Sequence, residues 1–152
     1  MAAGGSAGGS VYQARSWARR RVVQALYQWE MTGQDVSDID AQFRVGQDMS
    51  RADLAYFEEL LHQVPAHLDD LQARLAPFLD RPFAGLDPIE RVILLIGGYE
   101  LGYRLDVPCR VAINEAVALA RIYGAEEGHK FVNGVLDRMA QQLRAVEMTG
   151  EE

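Results

Sequence analysis

The sequence predicts an all-α protein, folded as a compact bundle of six to seven helices. Apolar residues recur at spacings of three and four along the 152-residue chain, which is the helical period. No run of β-branched residues bounded by turn residues is typical of a strand. The connections between the periodic segments are short, which favours a bundle.

The first helix is predicted from about Ser16 to Met31, with Gly33 as its stop. Its apolar stripe is formed by Ala18, Val22, Leu26 and Trp29. Residues 1–14 are predicted to be a flexible tail, because the first ten are almost all Gly, Ala and Ser. A single domain then covers residues 15–146, followed by a flexible acidic tail over 147–152.

Three further segments complete the first part of the chain. A weaker helix is predicted from Ser37 to Asp48, with Ile39, Phe43 and Val45 as its apolar residues. Ser50 and Asp53 resemble a capping box that opens the next helix, which Pro65 should kink or break. The periodic pattern resumes at Leu68 and ends near residues 77–82, where two prolines predict a seam between halves.

The second half begins with a strong start signal, Asp87 followed by Pro88, for a helix that reaches about Arg104. Another helix follows Pro108 and stops at Gly124. The last helix carries a narrow apolar stripe formed by Val132, Val135, Leu136, Met139, Leu143 and Val146.

Composition limits the cellular setting. The single cysteine, Cys109, excludes an intramolecular disulfide and fits a reducing cytosol. The longest apolar run, residues 92–99, is far shorter than the ~20 residues of a membrane span, and no signal-peptide core is present. We therefore expect a cytoplasmic protein with no membrane partner.

Charge is divided unequally along the chain. Residues 1–29 hold four arginines and no acid, whereas the remainder holds 11 basic and 22 acidic residues, so about +4 is followed by −11. An acidic protein that gathers arginines in one segment is expected to bind a polyanion there. Nucleic acid is the first candidate partner, and a solvated helix start is the alternative. The arginines are Arg15, Arg19, Arg20 and Arg21.

Aromatic side chains accompany the basic residues at two places. A helical wheel puts Tyr27 on the exposed face with Arg20, where it could hold a base or a protein partner, or cover a neighbouring helix. Phe131 lies off the apolar stripe of the last helix beside Lys130, after glycines at a helix entrance suited to phosphate. Phe131 could instead cap its own core.

The helix after Pro88 leaves two acids to explain. Glu100 falls within the apolar stripe and needs a partner or an opening. Glu90 lies on a flanking line that could be a docking surface or a second buried face. Two Glu-x-x-His pairs, at residues 59–62 and 126–129, offer a weak di-iron alternative, but we predict no catalytic residue, metal or cofactor.

Three stretches together resemble the NusB family of bacterial transcription antitermination proteins. They are residues 18–29 (ARRRVVQALYQW), residues 88–101 from Pro-Ile-Glu-Arg to Tyr-Glu-Leu, and residues 107–136, which include Ala-Ile-Asn-Glu-Ala and Lys-Phe-Val-Asn-Gly-Val-Leu. This chain departs from the family pattern at Ser16 and Trp17, which interrupt the arginine run, and at Arg20, where an acid is common. Asn114, Glu115, Asn133 and Gly134 belong to these motifs and are interpreted as helix packing and capping residues.

The resemblance implies a fold of two three-helix halves plus an extra helix, and a non-enzymatic function. Its family pairs with ribosomal protein NusE, binds the boxA element of nascent rRNA transcripts and acts in the RNA polymerase antitermination complex. The implied RNA contacts are Arg15, Arg19, Arg20, Arg21, Lys130 and Phe131. The implied NusE contacts are Tyr27 and Glu90.

Two questions stay open at the level of sequence. The same fold serves as the RNA-guiding domain of rRNA cytosine methyltransferases, and the lack of a following catalytic domain in this chain argues against that alternative. Whether the free protein forms a homodimer is not determined.

Overall fold

The computed structural model describes residues 7–149 and confirms the all-α fold: the described residues form eight α-helices and two short 3-10 turns, with no strand among them. The helices are α1 (Ala7–Thr32), α2 (Val36–Gly46), α3 (Leu54–Ala66), α4 (Leu68–Leu75), α5 (Pro88–Tyr103), α6 (Cys109–Tyr123), α7 (Gly128–Leu143) and α8 (Ala145–Thr149). The 3-10 turns are Ala76–Phe78 and Phe83–Gly85. Along residues 7–149 we find no helix with the length and apolarity to cross a membrane.

The first compact unit ends at Pro65 and contains α1, α2 and all of α3 except its last residue. Its core is built by the predicted stripe residues Val22 and Leu26 of α1, and by residues of α2 and α3 such as Ile39 and Phe57, all fully buried. Gly33 adopts φ +71° and donates its amide to the carbonyl of Trp29 at 2.8 Å, so it stops α1 as predicted. Helix α1 begins nine residues before the predicted start, within the segment predicted as a tail; residues 1–6 lie outside the described residues.

The start of α3 differs from its prediction. The predicted capping box is wrong, because the Asp53 side chain itself caps α3 by accepting the Tyr56 amide at 3.0 Å. Ser50 instead lies in a turn where its amide and hydroxyl both donate to Asp48. Val45, predicted on the apolar face of α2, is 89% exposed. The proline prediction is confirmed, since α3 ends one residue after Pro65.

The second unit begins at Ala66 and is built on α5, which is buried from Val92 to Leu101. Asp87 caps α5 as predicted, accepting the Ile89 amide at 2.9 Å. The predicted seam at residues 77–82 is not the division between the units. Helix α4 packs on α5, because Leu71 and Leu75 both approach Gly98, so the proline-containing connection lies inside the second unit.

The end of the chain is held by Arg144, which is 7% exposed. Its guanidinium donates to four carbonyls at the end of α5 and the following turn, those of Glu100, Leu101, Arg104 and Val107, at 2.9–3.1 Å. It also pairs with Glu147 at 2.8 Å, and Glu147 accepts the Cys109 amide. Residues 147–149 were predicted as tail but belong to α8; residues 150–152 lie outside the described residues.

Candidate nucleic-acid interface

The four arginines of α1 separate into different environments. Arg19 is 2% exposed, and its guanidinium carbon lies 5.4 Å from the centre of the Tyr56 ring. Arg15 lies over the same ring at 4.5 Å and is half-buried. Because Arg19 shares the inward side of α1 with Val22 and Val23, its guanidinium is not accessible to a phosphate. This burial disfavours Arg19 as a direct RNA contact.

Arg20 and Arg21 remain at the surface of the first unit and are partly exposed. The Arg20 guanidinium carbon lies 4.6 Å from the ring centre of Trp17, and that of Arg51, from the segment between α2 and α3, lies 5.1 Å from it. Arg21 donates to the Asp48 carbonyl at 3.2 Å and to the Gln24 side chain at 3.1 Å. Two guanidinium groups thus lie over one indole, and Arg21 lines a smaller pocket together with Trp17 and Arg51.

We call Trp17, Arg20, Arg21 and Arg51 the arginine–indole cluster. It borders an open depression of about 730 Å³ lined by Gln13, Ala14, Ser16, Trp17, Arg20, Ser50, Arg51 and Ala52. The sequence interpretation treated Trp17 as an interruption and did not include Arg51. Its only signal for Trp17 was an aromatic residue inside an arginine run, and nothing local connected Arg51 with α1.

One acid adjoins the cluster. The pKa of Asp48 is lowered from its usual value, chiefly because the Ser50 hydroxyl donates to its carboxylate, with smaller contributions from the charges of Arg21 and Arg51. Asp48 is therefore ionised at neutral pH and reduces the local positive charge. The cluster combines modest net charge with an aromatic ring, which suits RNA that is bound by stacking as well as by phosphate contacts.

The second unit carries the other two predicted RNA residues. Lys130 is exposed and forms an ion pair with Glu127 at 2.9 Å. Phe131 is half-buried, with the Arg81 guanidinium carbon 5.4 Å from its ring centre. Phe131 is thus neither a fully buried core residue nor a free ring, and its partner Arg81 was missed by the sequence interpretation.

The predicted NusE contacts lie in different settings. Tyr27 is 38% exposed on α1. Glu90 is half-buried in the first turn of α5, and one of its oxygens lies 2.8 Å from the point where a Cβ on Gly128 would be. Burial raises the pKa of Glu90, and Asp87 adds to this effect. The helix entrance at Gly128 therefore has the Glu90 carboxyl group beside it, which disfavours a phosphate there.

The Glu-x-x-His motifs do not assemble a metal site within the part of the chain that the structure describes. His62 of the first Glu-x-x-His pair contacts Asp40, with Nε2 and Oδ2 2.9 Å apart. Within residues 7–149 no group of three or more His, Cys, Asp or Glu side chains could hold a metal ion. Asn114 and Asn133 are exposed in the middle of α6 and α7 and line one pocket of about 280 Å³, so neither of them caps a helix end.

A helical protein with guanidinium groups gathered around a partly exposed aromatic ring has the composition of a nucleic-acid-binding adaptor. The NusB family model matches residues 16–141. The chain belongs to the NusB family.

Similar proteins support the assignment. The transcription antitermination protein NusB of Nitrosococcus oceani is 52% identical over 133 residues, 88% of this chain and 89% of the relative. The transcription antitermination protein NusB of Stenotrophomonas maltophilia is 53% identical over 133 residues, which cover 88% of this chain and 84% of the relative. Because the chain spans most of these antitermination proteins, the methyltransferase alternative is not favoured.

Two solved structures share the fold. NusB of T. maritima superposes with a TM-score of 0.69 at 28% identity, covering 83% of this chain and 91% of the other. A crystal structure of the antitermination factors NusB and NusE in complex with dsRNA matches with a TM-score of 0.71 at 22% identity, covering 85% of this chain and 97% of the other. At that identity the second match shows the fold alone.

Proposed function

We propose that this protein is a cytoplasmic transcription antitermination factor that binds the boxA element of nascent rRNA transcripts together with NusE, as part of the RNA polymerase antitermination complex. The observation that carries the proposal is the arginine–indole cluster on α1 of a NusB-family chain. The function requires binding and positioning only, with no catalytic step.

RNA binding is assigned mainly to the first unit. Arg20 and Arg51 contact phosphates, because they line the open depression at the surface. Arg21 adds a phosphate contact from a smaller pocket that it lines with Trp17 and Arg51. Arg15 supports this surface from its place on Tyr56, and Arg19 has a structural role. Guanidinium groups suit phosphate because their planar donors match two oxygens at once.

A second RNA contact is assigned to Lys130 and Phe131 in the other unit. The half-buried Phe131 ring offers one face for a base, with the Arg81 guanidinium close to it. Lys130 is 71% exposed and can exchange its ion pair with Glu127 for a phosphate, because an exposed pair contributes little to stability.

The NusE surface is assigned to Tyr27 and Glu90. Tyr27 is exposed on α1, and its apolar ring with a polar hydroxyl is a common anchor at protein interfaces. Glu90 presents a carboxylate that burial disfavours, so a basic group on NusE would stabilise its charge. A ribosomal protein is expected to supply such basic groups.

The test is a titration of labelled boxA RNA with this protein, alone and with saturating NusE. A cluster of few arginines on a chain of net charge −7 leaves little affinity after ordering costs. We therefore expect NusE to strengthen RNA binding by ~1–3 kcal/mol, and boxA to strengthen NusE binding equally. RNA affinity that is unchanged by saturating NusE would contradict the proposal.

A further inference from the structure

We propose that Trp17 is a stacking platform for one unpaired base of the bound RNA, and that the guanidinium groups of Arg20 and Arg51 cover its ring until the base replaces one of them. The inference rests on the proposed RNA-binding function. It adds a stacking residue, a second contacting segment and a preference for single-stranded RNA.

The ring is accessible at a site large enough for a nucleotide. Trp17 is partly exposed, and with both arginines it lines the open depression of about 730 Å³ in the first unit. This volume lies within the range of about 300–1,000 Å³ typical of small-ligand sites. The depression is bordered mainly by polar and small residues, so the indole is its principal apolar surface.

Replacement of a guanidinium by a base is favourable because the two contacts differ in strength. A guanidinium over an exposed ring is a weak contact, since water solvates the cation well. A base stacked on an aromatic side chain contributes more. Arg51 is the group expected to leave, because it is exposed on the segment between α2 and α3, whereas Arg20 is fixed to α1.

The displaced arginine keeps a role. The Arg51 guanidinium carbon lies 5.1 Å from the centre of the indole ring, and we expect a side-chain rotation to bring the guanidinium to the phosphate of the stacked nucleotide. One nucleotide would then be held by its base on α1 and by its phosphate from the α2–α3 segment. Bases of a duplex are already stacked on both faces and would have to be flipped out first, so an unpaired base is favoured.

The first experiment follows Trp17 directly by its fluorescence. In the full chain with Trp29→Phe, Trp17 is the only tryptophan. We expect quenching of its emission when single-stranded boxA RNA is added with NusE, and much weaker quenching with the same strand annealed to its complement. The matched control, Trp17→Phe with Trp29 retained, should show little quenching while RNA affinity is preserved, because phenylalanine also stacks.

The second experiment locates the base. Single abasic substitutions along boxA should include one position at which binding to the wild-type chain weakens about 5- to 150-fold, the range expected for loss of one stacked base. That position should lose its effect in Trp17→Ala. Arg51→Gln should weaken binding and lower the salt dependence by about one phosphate contact.

The outcomes separate the inference from the function on which it rests. RNA that binds tightly with unchanged Trp17 emission would overturn the stacking role and leave the RNA-binding function intact. Equal quenching by duplex and single strand would overturn the preference for an unpaired base. Absence of RNA binding in the presence of NusE would refute both. If Trp17→Ala does not fold, the fluorescence of Trp17 in the Trp29→Phe chain and the RNA affinity of the Trp17→Phe chain still test the stacking role.

Discussion

Adjacent arginines on α1 should have opposite roles, and two single alanine substitutions separate them. Arg20→Ala removes a surface guanidinium, so we expect the salt dependence of RNA binding to fall by ~0.7 in log–log slope, the value for one single-strand phosphate contact. The ratio of wild-type to variant affinity should then shrink about 2.6-fold between roughly 50 and 200 mM salt. The melting temperature should be nearly unchanged, since Arg20 lies outside the core.

Arg19→Ala is the matched control, because it changes the formal charge equally at the next position. Arg19 is 2% exposed against Tyr56, and a desolvated cation–ring contact contributes about 2 kcal/mol. For a chain of this size that corresponds to roughly 4–8 °C in melting temperature. Fluorescence anisotropy with labelled RNA and thermal unfolding would measure both variants. A flattened salt slope in a normally stable Arg19→Ala protein would refute the assignment.

Three further substitutions test the packing and the NusE surface. Burial raises the pKa of Glu90, so ionisation of this carboxyl group destabilises the fold as pH rises through that pKa. Glu90→Gln should therefore raise the melting temperature at about pH 7 but not below about pH 4, where the carboxyl group is protonated. The same substitution should weaken NusE binding, measured by calorimetry. An equal thermal effect at both pH values would contradict this. Gly97→Ala should destabilise the fold by roughly 1–3 kcal/mol, because the added Cβ would lie 2.5 Å from the Leu136 side chain. Gly134→Ala should stabilise the fold by about 0.5–1 kcal/mol, because the space around Gly134 is open. Urea unfolding would measure the free energy of unfolding of both variants. Arg144→Met should lower the free energy of unfolding by about 3 kcal/mol or more in the same assay, since it leaves buried carbonyls without a hydrogen-bond donor. A decrease of less than about 1 kcal/mol would show that water replaces the guanidinium.

Local signals in the sequence were sufficient for most of the helices. Helix α5 starts at an aspartate and a proline, and α1 stops at a glycine. These residues act through contacts within a few positions of the chain, so the adjacent sequence is enough to predict the helix ends. The family motifs and the arginine-rich first helix are likewise contiguous. The sequence by itself therefore determined an all-helical chain, its family resemblance and the segment that carries positive charge.

Only the tertiary structure decided which of those residues lie at the surface and which are buried. Arg19 turns inward because α3 supplies Tyr56 as its neighbour, and Arg51 joins Trp17 because the α2–α3 segment packs beside α1. The boundary between the two units near Pro65 and the hydrogen bonds from Arg144 to carbonyls around the end of α5 also depend on contacts between residues distant in the chain. Helical periodicity reports which side of one helix is apolar, but the groups that meet on a surface are set by long-range packing, which no short stretch of sequence encodes.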